Sequence, residues 1–402
     1  MEKGKNFLEN KYRAMKKEKI GLDKASFSIP KIPSWATLLE ALQNNRSRMK
    51  HYHFTIRKSK GIAYILLFVV FSLLPLLSTA QQSIRDFNKS TLDAQPYPCL
   101  FADTVRPKTA TLLFVGDLMQ HGPQIKQALQ PDGSYRYDEC FEQVKPYIES
   151  ADLAIGNLEV TLGGEPYQGY PCFSAPDDYL WAIKETGFDV LTTSNNHCLD
   201  RGKKGLERTL LMTDSLGFHT LGTYRDDEER SQRYPLVLTV NGIRVAFLTY
   251  TYGMNGFEVS EPNVVNVIDK TMMEEDIRAA KAMHPDVIIA IMHWGTEYRL
   301  EPDSYQRHYA EWLLEKGVDH IIGGHPHVIE PTEWVKEEGR IDPHLVVYSQ
   351  GNFISNMSLP NTFDGTMITL SIQKVGLVTR ISNYDCKVVR TTRPNYKLTI
   401  VK

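Results

Sequence analysis

Asp319-His320-Ile321-Ile322-Gly323-Gly324-His325-Pro326-His327-Val328 reads as a short apolar strand that runs into a glycine turn and then presents two histidines one residue apart. Pro326 stiffens the backbone between them, because its ring fixes φ. The two glycines lack a Cβ and let the chain approach a ligand closely. A neutral imidazole is the commonest protein ligand for a transition metal, so two of them on a stiff turn read as half of a metal site. A pair of histidines separated by one residue is equally at home in a surface loop. Recurrence decides between the two readings.

The order strand, then donor, does recur. An apolar run at 111–115 ends in Gly116-Asp117-Leu118-Met119-Gln120-His121, and one at 151–155 ends in Gly156-Asn157-Leu158-Glu159. The run 188–193 leads into Ser194-Asn195-Asn196-His197-Cys198-Leu199-Asp200, and 286–292 into His293-Trp294-Gly295. Residues 345–348 lead into Ser349-Gln350-Gly351-Asn352-Phe353. Helical spacing of apolar residues fills the intervals at 137–150, 177–186, 203–216 and 271–283, and around Tyr309, Trp312 and Leu313. A further strand is predicted at 244–251, and the chain end (366–373, 375–380, 388–390, 398–401) reads as a β-meander. Strands alternating with helices predict an α/β fold, whose ligands gather at the carboxyl ends of the strands. Of the ten histidines after residue 80, five (His121, His197, His293, His325 and His327) fall at such ends. Histidines scattered at random over loops would not gather this way.

Charge narrows the partners. The chain of 402 residues carries 46 Lys+Arg and 48 Asp+Glu; residues 1–80 hold 15 and 5 of these, which leaves 31 and 43 in an acidic body of net charge -12. With no basic stripe interleaved with aromatics, that body argues against nucleic acid as a partner. Residues 61–80 form an uncharged apolar run preceded by Arg57, Lys58 and Lys60 and ending in Ser78-Thr79-Ala80, the parts of a secretory signal peptide. Met49 begins a leader of ordinary length. The organisation expected is therefore 1–48 as a disordered or misassigned extension, 49–80 as signal peptide or uncleaved signal anchor, 81–108 as linker, and 109–402 as the folded domain. The protein is expected to be exported, periplasmic, secreted or held in the cell envelope, and to touch a membrane only through 61–80 if that run is retained. All five cysteines (Cys99, Cys140, Cys172, Cys198 and Cys386) follow the leader, and their odd number leaves at least one unpaired within the chain.

Carboxylate, amide oxygen and imidazole make a mixed O/N donor set that suits Mn, Fe or Zn. Two such ions roughly 3.5–4 Å apart would clamp the attacking and leaving oxygens of a hydrolysis. Cys198 beside His197 is not read as a nucleophile, since adjacent side chains diverge and no third orienting group is evident. Gly163-Gly164 lacks the strand and helix of a phosphate-binding loop.

Taken in order, Gly-Asp, Asn-Leu-Glu, Asn-Asn-His-x-x-Asp-x-Gly, His-x-Gly-x-Glu-Tyr, Gly-x-His-Pro-His-Val and Tyr-Ser-x-Gly-Asn-Phe resemble the CapA family of capsule (poly-γ-glutamate) synthesis proteins over about 111–356. Those are similar in turn to the calcineurin-like metallophosphoesterases. The resemblance implies a four-layer α/β/β/α metallophosphatase-like sandwich with a β-rich C-terminal end and a centre of one or two divalent ions. It implies metal ligation by Asp117, Glu159 (as the bridge), Asn196, His293, His325 and His327. His197 takes the place of the catalytic histidine and is the candidate general acid; Asp200, three residues on, reads equally as the group that orients it or as the cap of the following helix. Glu297 and Tyr298 are expected to line the substrate site; Asn352 reads as a substrate contact or a turn residue, and Arg201, Lys203, Lys204 and Arg299 as a binding face for an anionic substrate or as a solvated face. The superfamily pattern Asp-x-His is broken at Met119, and His121 is the substitute ligand considered. Two readings follow: a metal-dependent hydrolase, phosphoesterase-like or amide-cleaving, acting on an anionic envelope polymer such as poly-γ-glutamate or on a phosphoester; or a non-catalytic assembly or binding protein for capsule polymer that keeps the fold.

Overall fold

A computed structural model describes residues 106–340 and 342–401. The expectations for 1–48, 49–80 and most of the linker, and with them Cys99, lie outside these residues. The four described cysteines, Cys140, Cys172, Cys198 and Cys386, are free thiols. Among the described residues no helix is long and apolar enough to cross a membrane.

The strand Lys108–Leu118 shows why the apolar run at 111–115 has no polar face. Successive side chains of a strand point to opposite sides. Leu112 and Phe114 enter one apolar cluster, Leu113 and Val115 another. A strand covered on both faces needs an unbroken apolar run. It sits inside an eight-stranded sheet. The spatial order is Lys397–Ile400, Val378–Thr392, Asp364–Val375, Lys108–Leu118, Leu153–Leu158, Val190–Thr192 and His219–Leu221, with Asn352–Ile354 also paired to Lys108–Leu118. A second sheet of six strands runs Thr332–Val335, His344–Val347, His320–Gly324, Val287–His293, Ile243–Thr251 and Leu236–Val240.

The larger cluster lies between the sheets. It joins Leu112, Phe114 and Ile155 of one to Phe247, Ile289, Ile321 and Val346 of the other. The helices Lys270–Ala282 and Ser304–Glu315 add Met273, Ile277, Ala310 and Leu313 to the far side of the six-stranded sheet. On the outer face of the eight-stranded sheet, Phe141, Ile148, Tyr179 and Ile183 come from short helices, including Asp177–Thr186. The expected α/β/β/α layering and β-rich end are therefore present.

Two local expectations are corrected. The helix at 137–150 is two pieces, Asp138–Phe141 and Lys145–Glu149. In a continuous helix the Pro146 ring would clash with the carbonyl of Glu142; at the start of the second piece it meets no such partner. The segments 375–380 and 388–390 are not separate strands. Val375 closes the preceding strand, and Val378–Thr392 is one strand of 15 residues, whose partner absorbs the irregular spacing through a register shift between Ser371 and Ile372.

Registry brings the donors into line. Asp117 pairs with Asn157 and with Asn352, and Asn157 pairs with Thr192. In the other sheet His293 pairs with Gly324 and with Thr251. Neighbouring parallel strands thus end at the same level, and the two sheets present those ends side by side.

Near this edge, Glu330 is buried, accepts one hydrogen bond from Gln306 Nε2 at 2.6 Å and leaves its Oε1 without a partner. Burial pushes its pKa up to about 7, against the opposing effect of the Gln306 contact. A carboxyl whose folded pKa lies above its unfolded value contributes fully below the unfolded pKa and progressively less as pH rises through the folded one. Glu330→Gln is therefore expected to leave stability at pH 4 nearly unchanged and to raise it at pH 8 by up to about 3 kcal/mol, at 1.36 kcal/mol per unit. Urea unfolding of both proteins at the two pH values checks this; equal differences at both would refute it.

Candidate metal centre

The strand ends carry a ring of buried carboxylates and imidazoles. Asp117 and Glu159 are fully buried, and His293, His325 and His327 nearly so. Ligand atoms of Glu159, His293 and His325 lie within 4.8 Å of one another, as do those of Asp117, Glu159 and His327. Glu159 belongs to both groupings, the position expected of a bridge.

One amide that sequence reasoning left without a role holds the ring together. Asn157 Nδ2 donates to Asp117 Oδ1 at 2.8 Å, and lies 3.4 Å from Glu159 Oε2 and 3.3 Å from His293 Nδ1. Its Oδ1 accepts from Asn195 Nδ2 at 3.1 Å and Thr192 Oγ1 at 3.2 Å. Asn157 was visible in its motif, but its task follows only from the cross-strand register. Asn196 Oδ1 stands 2.8 Å from His293 Nε2, so the expected amide ligand reaches the same place. Tyr252 was also missed; its ring centroid lies 4.5 Å from that of His325.

Glycine is required where the second sheet meets the ring. A Cβ on Gly323 would lie 2.0 Å from the Tyr348 carbonyl oxygen, and one on Gly324 would press on Asp117 Oδ1 at 3.2 Å. The two histidines beyond them adopt left-handed backbone, φ +101° at His325 and +60° at His327. That conformation is uncommon outside glycine and collects at functional sites.

Electrostatics set the two carboxylates apart. Burial pushes Asp117 up, but its contacts with His327, His293 and Asn157 outweigh this and hold it below the ordinary carboxylate range. Glu159 is raised well above its usual value, first by burial and then by the charge of Asp117. Burial lowers His293 to about 3, despite the attraction of Asp117, and lowers His325 well below the usual histidine value. Neutral imidazoles are the form that binds metal. Asp117 Oδ2, Glu159 Oε1 and His325 Nδ1 are buried with no hydrogen-bond partner. Orphaned buried polar atoms are costly, and three of them on residues of these two linked groupings fit a divalent cation.

His197 lies beside the ring, its Nδ1 2.8 Å from Asp200 Oδ2. The same carboxylate oxygen accepts from Phe173 N at 2.7 Å, and the Phe173 ring meets the imidazole edge-on at 4.7 Å. Both partners are buried. Asp200 thus stands within hydrogen-bond reach of the ring it is expected to orient.

Other expectations are redistributed. His121 does not join the ring: its Nδ1 is 3.2 Å from Gln124 Oε1 and accepts from Asn356 N at 3.3 Å, at the start of the helix Gly122–Ala128. Burial lowers it to about 4. Asn352 is fully buried and cannot be an open substrate contact; its Oδ1 stands 3.0 Å from His327 Nδ1 and fixes that ring, while its Nδ2 donates to Thr362 O at 3.1 Å. Arg201 packs against Gly163 and Gly205 at the entrance to the helix Gly202–Ser215. Glu297 and Tyr298 are exposed on the loop after His293, with Tyr298 N donating to Pro326 O at 2.8 Å.

Residues 111–357 match the family model "Bacterial capsule synthesis protein PGA_cap". The chain is 27% identical over 277 residues to the capsule biosynthesis protein CapA of Bacillus anthracis, covering 66% of this chain and 64% of that protein. It is 28% identical over 323 residues to the PGA biosynthesis protein CapA of Bacillus subtilis, covering 75% of this chain and 81% of that one. The chain thus spans less than two thirds of the anthrax protein's length. Among solved structures it is similar to the calcineurin-like phosphoesterase YfkN of Bacillus subtilis, at 16% identity and a TM-score of 0.41, covering 70% of this chain and 90% of that one. A score of that size says nothing about the site.

Proposed function

The chain belongs to the bacterial capsule synthesis protein family PGA_cap, and on that premise we propose that it is an exported metal-dependent hydrolase acting on an anionic envelope polymer. Poly-γ-glutamate is the substrate class that the family resemblance suggests, in keeping with relatives named for capsule and PGA biosynthesis, and a phosphoester is the alternative. The observation that carries this reading is the set of three buried ligand atoms without a hydrogen bond, on Asp117, Glu159 and His325, beside the His197–Asp200 pair.

Asp117, Glu159, Asn196, His293, His325 and His327 would hold the ion. When bound, a divalent ion supplies Lewis acidity toward a phosphoryl or carbonyl oxygen. Asp200 Oδ2 lies 2.8 Å from His197 Nδ1 and orients the ring, so that Nε2 can present a proton to a leaving oxygen or nitrogen. Asn352 and Asn157 hold His327, Asp117 and His293 in place. Arg201, Lys203, Lys204 and Arg299 supply positive charge for an anionic substrate. Export rests on the leader pattern at 49–80, with a membrane anchor if 61–80 is retained.

The non-catalytic reading has one observation in its favour. Met119 is buried in the outer apolar cluster and offers no donor where the superfamily has histidine. Elemental analysis of the purified protein, combined with turnover on poly-γ-glutamate and on aryl phosphate mono- and diesters, separates the two. Bound divalent metal with turnover on any of these supports the hydrolase; metal with polymer binding and no turnover supports the binder.

A further inference from the structure

We propose that Glu297 is a ligand of the metal centre, closing it from the solvent side and supplying a donor that Met119 does not; this rests on reading the strand-end ring as a metal site. A carboxylate oxygen of Glu297 and one nitrogen each of His325 and His327 lie within 4.8 Å of one another. These are the two imidazoles that also face Glu159 and Asp117. The ring therefore has an outer corner as well as two buried ones.

The position of Glu297 is built into the backbone. Its loop follows the strand Val287–His293 and is pinned at three points. Trp294 N donates to Gly324 O at 3.1 Å, Tyr298 N donates to Pro326 O at 2.8 Å, and Thr296 Oγ1 donates to Asp303 Oδ2 at 2.6 Å. The first two bonds lash this loop to the His325-Pro326-His327 turn, on either side of Glu297. Tyr298 takes φ +66°, a left-handed conformation that a β-carbon resists, and its ring centroid lies 6.2 Å from that of His327.

Chemistry points the same way. His325, which belongs to this corner, is 2% exposed, and its Nδ1 is committed to no hydrogen bond. Asp117 and Glu159 make ion-pair contacts only with His293 and His327, and among the described residues no Lys or Arg neutralises them or Glu297. Three carboxylates gathered around three imidazoles, with no Lys or Arg paired to them among the described residues, call for a cation. The alternatives lie elsewhere: Met119 packs in the apolar cluster, and His121, its Nδ1 held by Gln124 and Asn356, belongs to none of the groupings of ligand atoms among the described residues. A carboxylate in place of the histidine keeps a hard oxygen donor, which favours Mn or Fe over a thiolate-selected metal.

The test is calorimetric titration of the full chain, stripped by chelation, with Mn²⁺ and separately with Zn²⁺, alongside elemental analysis after gel filtration. Glu297→Gln is the variant, and Glu301→Gln, exposed in the same loop, is the control. Because Glu297 is exposed, the variant should keep the parent's circular dichroism and metal-free melting temperature. Glu297→Gln is expected to weaken binding about tenfold or more, or to lose one equivalent, with Glu301→Gln matching the parent. Parent-like affinity and stoichiometry in Glu297→Gln would overturn the ligand assignment and leave the metal centre standing. A parent that takes up neither ion would overturn both.

Discussion

Replacing His197 by alanine is expected to lower hydrolytic turnover by about 10²–10⁴-fold, the usual contribution of a positioned general acid, while divalent-metal content stays at the parent's level. The separation of the two readouts follows from geometry. His197 belongs to none of the groupings of ligand atoms around Asp117 and Glu159. Its Nδ1 is committed to Asp200 at 2.8 Å, and its backbone N donates to Asn195 Oδ1 at 3.1 Å. Asn195 in turn bonds Asn157, so the loop is tied to the ring by its backbone and amides rather than by the imidazole. Asp200→Asn should lower turnover less than His197→Ala, because it removes the charge beside Nδ1 and keeps the shape. Unchanged turnover in His197→Ala would remove the general-acid role. Turnover and metal lost together would show that His197 supports the ring instead.

Much of this site was legible in the sequence because one local rule, an apolar strand ending in a donor, holds on every strand that feeds it. Asp117, Glu159, His293, His325 and His327 each follow a buried run and each arrive at the ring. The α/β/β/α order was legible for the same reason, since runs such as 287–293 are apolar on both faces and demand cover on both. What stayed hidden depended on contacts between strands. Asn157 looked like one more motif residue, yet its pairing with Asp117 and Thr192 makes it the hub of the ring. Asn352 follows a strand as the ligands do, but its side chain turns to His327 and Thr362. His121 obeyed the spacing and still missed the ring, because Gln124 and Asn356 hold its Nδ1 at a helix start. Spacing places a residue near an edge; where the side chain goes is decided by neighbours distant in the chain.

Removal of divalent ions is expected to lower the melting temperature of the protein, and Glu159→Gln to abolish that dependence. A ligand that binds only the folded state adds about 2.7 kcal/mol at a concentration one hundred times its Kd. For a domain of this size that is roughly 5–10 °C, at 2–4 °C per kcal/mol. The ion also relieves a conflict the protein holds in its absence. Asp117 and Glu159 are buried side by side, and burial together with the charge of Asp117 drives Glu159 toward its protonated form. Glutamine resembles that neutral form in shape and charge, so the stripped variant should melt within a few degrees of the stripped parent. With the shared carboxylate gone, both buried groupings of ligand atoms lose a member, and added Mn²⁺ or Zn²⁺ should no longer raise the transition. Thermal melts of parent and variant, each with chelator and with ion restored, measure both effects. A variant that regains the parent's full shift on adding the ion would mean that Glu159 does not hold it, and a parent indifferent to chelation would mean that the ring holds no ion at all.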